Sequence, residues 1–244
     1  MKASTEASSL AEEAYGIVRR RIVRGTVRLG QIISRRKLAA ELGMSFLPVS
    51  MALLRLEFEG LLESRPRAGT RVRIPSREDV LGQYVVREAL EVQAAKLFAE
   101  IATSRERAEL RKLAKRVDAL GLSQADRIPY VIAHQELHRR IAECTRCPAL
   151  STTIEQTNAL ASIWFCVARQ PSPDDPKRRH QDLMEVLSVG NPDLAATAMR
   201  EHITCGLQHT MEVLEPYFQL RKASGSTFIR SKQKQRQILK SSSH

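Results

Sequence analysis

Hydrophobic positions along the first 75 residues recur with the period of a helix and then switch to that of a strand. Leu10, Ala14, Ile17, Val18 and Ile22 fall at helical spacing, and Gly25 ends the run. Ser34 is placed to cap a second, short helix, with Leu38, Ala39 and Leu42 inward and Gly43 as its stop. Ser45 is placed to cap a third, with Val49, Leu53, Leu54 and Leu56 as its apolar residues and Gly60 as its end. The turn Gly43-Met44-Ser45 has the length used in a helix-turn-helix. Leu61 and Leu62, a turn of Arg-Pro-Arg-Ala-Gly, and the alternating stretch Thr70-Arg71-Val72-Arg73-Ile74 predict a β-hairpin. Three helices and a hairpin make a winged helix-turn-helix, assigned to residues 1–75.

Beyond Pro75 only the helical period remains. Ser76 and Asp79 have capping-box spacing and open a helix over 77–101. Further helices are predicted over 105–120, 126–144, 148–170, 177–189 and 192–217. Gly121 and Gly190 read as stops, and Asn191-Pro192-Asp193 as a cap, a first-turn proline and an acid favoured by the helix dipole. The chain is therefore expected to be mainly α, with an all-α antiparallel helical bundle over 76–220. Residues 221–244 are polar, basic and poor in apolar side chains, and are expected to form a disordered tail.

Composition narrows the class. A chain of 244 residues, 43% hydrophobic, is long enough for two modest cores. No apolar run approaches the roughly 20 residues of a membrane helix, and the N-terminus lacks the apolar core of a secretory signal. Four cysteines do not make a disulfide scaffold. A cytoplasmic protein with no membrane partner is expected.

The net charge of +12 is unevenly spread: +7 in residues 1–76, −2 in 77–220 and +7 in 221–244. Arg35, Arg36 and Lys37 open the second helix, where the helix dipole favours a phosphate. Arg65, Arg67, Arg71 and Arg73 decorate the hairpin. A charge run alone reads as a solvated face. Coinciding with a helix-turn-helix and a wing, it points to double-stranded DNA.

Four of the six histidines lie on inward faces of the predicted bundle. His134 and His138 are four apart and share a helix face. His180 lies on a stripe with Leu183, Met184 and Leu187, and His202 on one with Ala195, Ala198 and Cys205. Two readings stand: hydrogen-bonded core histidines, or neutral imidazoles converging on Zn²⁺, Ni²⁺ or a similar divalent metal. Cys144 and Cys147 form an isolated C-x-x-C without a second pair, Trp164 reads as core, and Arg178-Arg179 reads as solvated.

Residues 10–74 resemble the winged-helix domain of the GntR superfamily of transcription regulators. The resemblance rests on Leu38-Ala39-x-x-Leu42-Gly43, Pro48-Val49, Ala52-Leu53, Leu56-Glu57-x-x-Gly60-Leu61 and Gly69. It implies that Arg36 and Gly69 keep the places of DNA contacts. Two arginines usual at the start of the recognition helix are replaced by Phe46 and Ser50. Phe46 could meet a thymine methyl, and Ser45 or Ser50 a base edge or phosphate.

Residues 78–217 resemble the FCD ligand-binding domain of FadR-like GntR regulators, beginning at Arg87-Glu88-Ala89-Leu90-Glu91. The family's Asp-x-x-x-His, then His, then a fourth His falls on His134, His138, His180 and His202. His134 stands where the family has an acid. The resemblance implies a divalent metal at these four residues, a small organic acid effector beside it, and a homodimer on a near-palindromic operator. Arg87 is then either a partner for an effector carboxylate or a member of a helix-surface salt bridge.

The sequence thus predicts a ligand-responsive DNA-binding regulator rather than an enzyme, and leaves repression and activation both open. A ligand-independent dimeric DNA-binding protein is the first alternative. A metal-dependent hydrolase is the second, though no His-Glu-x-x-His or other catalytic signature is present.

Overall fold

The computed structural model describes the backbone of residues 2–65, 69–122, 128–168 and 177–241. It describes the side chains of the same residues except 2–8, 65, 158–163, 165–168 and 221–241. The N-terminal unit runs α1 (Lys2–Val23), β1 (Ile32–Ile33), α2 (Arg35–Leu42), α3 (Phe46–Phe58), β2 (Leu62–Arg65) and β3 (Gly69–Val72). Ser34 caps α2 by accepting from the Lys37 amide at 3.3 Å, and Gly43 ends it at φ 63°, a left-handed geometry natural to glycine. Ala14, Val18 and Ile22 of α1 pack with Leu38, Ala39, Val49, Ala52, Leu53 and Leu56 of α2 and α3. Burial of each of the larger side chains contributes roughly 1.5–3 kcal/mol.

The sheet has the order β1-β3-β2, both pairings antiparallel. Leu62 faces Val72 across the hairpin, and both point into the core. The short strand β1, with Ile32 opposite Arg71, is absent from the sequence reading because two residues carry no period. Ser45 sits at the N-cap of α3 but makes no side-chain cap hydrogen bond. Leu54, expected inward, is 62% exposed, because α3 turns only its 49-52-53-56 face to the core.

The C-terminal bundle comprises α4 (Arg77–Ile101), α5 (Ser104–Gly121), α6 (Ile128–Glu143), α7 (Pro148–Ala168), α8 (Arg179–Leu187) and α9 (Pro192–Ser241). The predicted capping box is present: Asp79 N donates to Ser76 Oγ at 3.0 Å, and Ser76 N to Asp79 Oδ2 at 2.8 Å. Asn191 Oδ1 accepts from the amides of Asp193 and Leu194 and so starts α9. α4 and α9 pack along each other, α6 and α7 lie against α4, α8 lies against α9, and α5 packs on α6 and α8. At the junction of the two units Arg73 pairs with Asp79 at 2.8 Å, and Arg77 pairs with Glu215 of α9.

The backbone of α9 passes Pro216 and continues helical to Ser241. This differs from the separate disordered tail expected over 221–244. Gln, Lys and Arg are abundant there, and as straight-chain residues they lose little rotamer freedom in a helix, so low hydrophobicity alone does not end one.

Candidate metal centre and nucleic-acid interface

The period of α6 places His134 and His138 one turn apart on its inward face. His180 is the second residue of α8, and His202 lies about one turn beyond the buried Met199 of α9. The structure brings all four imidazoles together. Ring centroids are 4.6 Å apart for His134 and His138, 5.1 Å for His134 and His180, 5.1 Å for His180 and His202, and 5.4 Å for His138 and His202. One ring nitrogen from each lies within 4.8 Å of the others. His134, His138 and His180 are buried; His202 encloses its ring while part of the residue meets solvent.

Two carboxylates behind the cluster set its chemistry. Nδ1 of His138 is 2.5 Å from Oε2 of Glu91 on α4, and Nδ1 of His180 is 2.6 Å from Oδ1 of Asp118 on α5. A neutral imidazole next to a carboxylate keeps its proton on Nδ1 and donates it there, so Nε2 carries the free lone pair. Nε2 of His138 and Nε2 of His180 are both enclosed and meet no hydrogen-bond partner among the described residues. A buried polar atom without a partner costs about 1–3 kcal/mol. Two such acceptors inside a four-imidazole cluster fit a borderline-soft divalent ion, whose ligands are oriented by outer carboxylates in this way.

The electrostatics agree. Burial, then the neighbouring His138 and His180, holds His134 well below the ordinary imidazole range. Burial likewise depresses His180, to about 4, against the opposing pull of Asp118. His202 is lowered by burial, then by His180 and Arg179. Neutral imidazoles are the metal-binding form. Burial works against the charge on Glu91, but Arg87 and His138 outweigh it and hold the carboxyl well below its usual range.

Beside the cluster lies a narrow cavity lined by Tyr84, Arg87, His134, Arg179, His202, Ile203 and Gly206, with room for little more than a water molecule. Arg87 is 7% exposed, donates through Nε to Glu91 Oε1 at 2.9 Å and lies over the Tyr84 ring. Its salt bridge is buried, so the surface alternative raised by the sequence does not describe it. Arg179 also turns inward: Nη2 donates to the His202 carbonyl at 2.8 Å. The sequence reading treated it as solvated with Arg178, which does stand outside, paired with Asp182 and Glu185.

On the other unit, most of the described residues expected to contact DNA are exposed. Arg36 and Lys37 are exposed at the start of α2, while Arg35 reaches the wing and donates to Thr70 Oγ1 at 3.3 Å. Ser45 and Phe46 are exposed at the start of α3, Phe46 by 53%. Gly69 opens β3 at φ 78° and is exposed. Ser50 departs from expectation: its Oγ is enclosed, so the arrangement does not present it to a base. The side chain of Arg65, and Arg67 altogether, lie outside the described residues.

The profile of the bacterial regulatory proteins of the gntR family matches residues 10–72, and the profile of the FCD domain matches residues 83–204. The chain belongs to the GntR family and carries an FCD domain. It is a DNA-binding transcriptional regulator. Among relatives of this GntR protein, one named a "probable D-xylose utilization operon transcriptional repressor", from Paenarthrobacter nicotinovorans, is 27% identical over 204 residues, spanning 83% of this chain and 89% of the relative. The HTH-type transcriptional repressor RspR of Escherichia coli K12 is 24% identical over 220 residues, spanning 89% and 92%. In fold, a Rhodococcus sp. RHA1 protein described as a transcriptional regulator GntR superposes with a TM-score of 0.69 at 21% identity, covering 84% of this chain and 98% of that one. E. coli McbR/YncC superposes at 0.65, also 21% identical, covering 85% and 98%. No single helix among the described residues is long and apolar enough to cross a membrane.

Glu91, Asp118 and Arg179 are the site residues that the sequence reading missed. A signal existed for two of them. Glu91 is four residues from Arg87, and Asp118 is an acid on the otherwise apolar stripe Leu110, Ala114, Val117.

Proposed function

We propose that this regulator is a homodimeric repressor whose helical domain binds a divalent metal at His134, His138, His180 and His202 and senses a small anionic metabolite in the adjoining cavity. The observation that carries this reading is the pair of enclosed, unpartnered Nε2 atoms of His138 and His180, each fixed by a carboxylate on its other nitrogen. Zn²⁺ and Ni²⁺ suit four imidazoles best. The metal supplies an electrophilic anchor for an acid. Arg87, charged and buried in the cavity wall, supplies a directional donor.

The metal-side histidine His202 and the junction residue Glu215 are on α9, while Arg87, Glu91 and Arg77 are on α4. A ligand filling the narrow cavity favours a different seating of these two helices. That change reaches the wing through Arg77–Glu215 and Arg73–Asp79. The ligand switches DNA binding only as far as it binds one seating better than the other. Two winged helices, with Arg36 and Lys37 on phosphates and Phe46 towards base edges, read two half-sites of a near-palindrome.

Native mass spectrometry and elemental analysis of the purified full chain test this reading. The expected species is a dimer with one divalent ion per chain. His138→Ala should lose the ion and its chelator-sensitive melting, yet still bind DNA. A monomer, or a chain with no metal after loading with Zn²⁺ or Ni²⁺, overturns the reading and leaves a ligand-independent DNA-binding protein.

A further inference from the structure

Arg179 is the one charged residue of the described cavity wall that the metal reading does not use. It opens α8 directly before His180, yet it leans across to α9 rather than out to water. Nη2 is held by the His202 carbonyl at 2.8 Å, and Nε is enclosed with no partner. No carboxylate pairs with it among the described residues. Gly206 leaves it room: a Cβ there would stand 3.3 Å from Nη2 and 3.6 Å from Tyr84 Cε1. The guanidinium is therefore seated, partly desolvated and without a direct carboxylate partner among the described residues, at the edge of a cavity that Arg87, His134 and His202 also line.

Charge balance says what belongs beside it. The fixed charges around the cluster are Arg87 and Arg179 on one side and Glu91 and Asp118 on the other. They cancel. All four histidines are neutral ligands, so none offsets a cation bound between them. A divalent ion in the cluster then leaves two positive charges without a counter-charge in a poorly hydrated place, where an unbalanced charge is expensive.

We propose that the effector of this protein is a compact dianion, a dicarboxylate or a phosphate group, held between the histidine cluster and the Arg179 guanidinium. The inference rests on the metal reading above and adds to it the charge of the ligand and the residue that selects it. One anionic end lies at the cluster, within reach of Arg87. The other takes the unpaired Nε–H of Arg179 as a charge-assisted hydrogen bond. The cavity admits little more than a water as it stands, so a dianion must be small and must move Arg179 and the α8–α9 contact on entry. A monoanion satisfies only one end and leaves Arg179 as it is.

The test is calorimetric titration of the metal-loaded full chain with malonate, inorganic phosphate and acetate. Metal content is measured in the same samples, so loss of ion is seen separately from loss of ligand. Malonate or phosphate should bind at least about tenfold tighter than acetate, the scale of one charge-assisted hydrogen bond. Tight malonate with weak phosphate assigns a dicarboxylate; the reverse assigns a phosphate. Arg179→Gln should abolish the preference while retaining the ion, and Arg179→Lys, which keeps the charge, should retain part of it. Melting curves of both variants report whether they fold. Equal affinity for acetate and both dianions, or an unchanged preference in a folded, metal-loaded Arg179→Gln protein, overturns the proposal and leaves the metal site intact. A wild-type chain that binds no metal overturns the metal reading, and the charge balance falls with it.

Discussion

Nδ1 of His180 lies 2.6 Å from Oδ1 of Asp118, a partner 62 residues earlier in the chain. Asp118 is itself pinned, accepting from the His180 amide at 3.1 Å and from the Gln181 amide at 3.0 Å and side chain at 3.1 Å. The start of α8 is thus clamped on α5, and the imidazole is fixed both in direction and in tautomer. What looks in sequence like one histidine on an apolar stripe is a two-residue device aimed at the other three rings.

Asp118→Asn tests that device. An amide can offer N–H to Nδ1, which favours the tautomer with its proton on Nε2 and removes the lone pair from the cluster. We expect metal affinity to fall by about 10–100-fold, the scale for outer carboxylates at histidine sites. Competition against a chelating dye measures it. DNA affinity of the metal-free protein should be unchanged, because α5 and the winged helix share no direct contact through Asp118. Unaltered metal affinity would show that Asp118 serves only the α5–α8 join.

Arg35 and Arg36 are neighbours in sequence with different work to do. Arg36 is exposed at the positive end of α2, whereas Arg35 ties α2 to Thr70 of the wing. Arg36→Ala should weaken binding to every duplex tested and lower the slope of log affinity against log salt by about one. Arg35→Ala should in addition lower the melting temperature, since it releases a contact between two elements. Salt titrations by fluorescence anisotropy separate the two. The same slope in wild type and Arg36→Ala would remove Arg36 from the phosphate-facing surface.

Much of the architecture was legible because its punctuation is local. Ser34 with Gly43, and Ser76 with Asp79, announce helix ends within a few residues, and α4 begins and ends where the pattern puts it. The histidine cluster was legible because each ring sits on a stripe whose inward face the period reveals. Residues tied across the fold were not legible in the same way. Glu91 meets His138 and Asp118 meets His180 over separations of 47 and 62 residues, which no period encodes. Arg179 was misjudged because two adjacent arginines at a helix start look equally solvated. Only the packing of α8 on α9 turns one of them inward. The helical continuation past Leu220 escaped because low hydrophobicity marks the lack of an apolar face, not the lack of a helix.

The cysteines make a prediction about access. Burial, then the nearby Glu106, pushes the Cys144 thiol up to about 11, and the residue is buried at the end of α6, whereas Cys205 is exposed on α9. Iodoacetamide at neutral pH attacks the thiolate, so it should label Cys205 well before Cys144. Peptide mass mapping over time checks the order. Early labelling of Cys144 would mean that the α6–α7 corner opens readily.

The depressed His180 has a consequence for stability that can be signed. Folded, it takes a proton only near pH 4; unfolded, it does so near the ordinary 6.5. Between those values the unfolded chain holds more protons, so stability rises with pH across the window and is lost on acidification. His134 and His202 are lowered too and act in the same direction. Acidification from pH 7 to pH 5 should cost the metal-free protein about 2 kcal/mol from His180 alone, by the linkage between proton uptake and unfolding. Denaturant titrations of the chelator-stripped full chain at the two pH values measure this. His180→Gln, which has no proton to gain, should lose less than wild type over the same interval. With metal bound the loss should be steeper, because protons and the ion compete for the same nitrogens. Equal stability of the metal-free wild type at pH 7 and pH 5 would mean that the imidazoles are already solvated or charged in the folded state. The neutral, inward-facing Nε2 atoms on which the metal reading stands would then be lost.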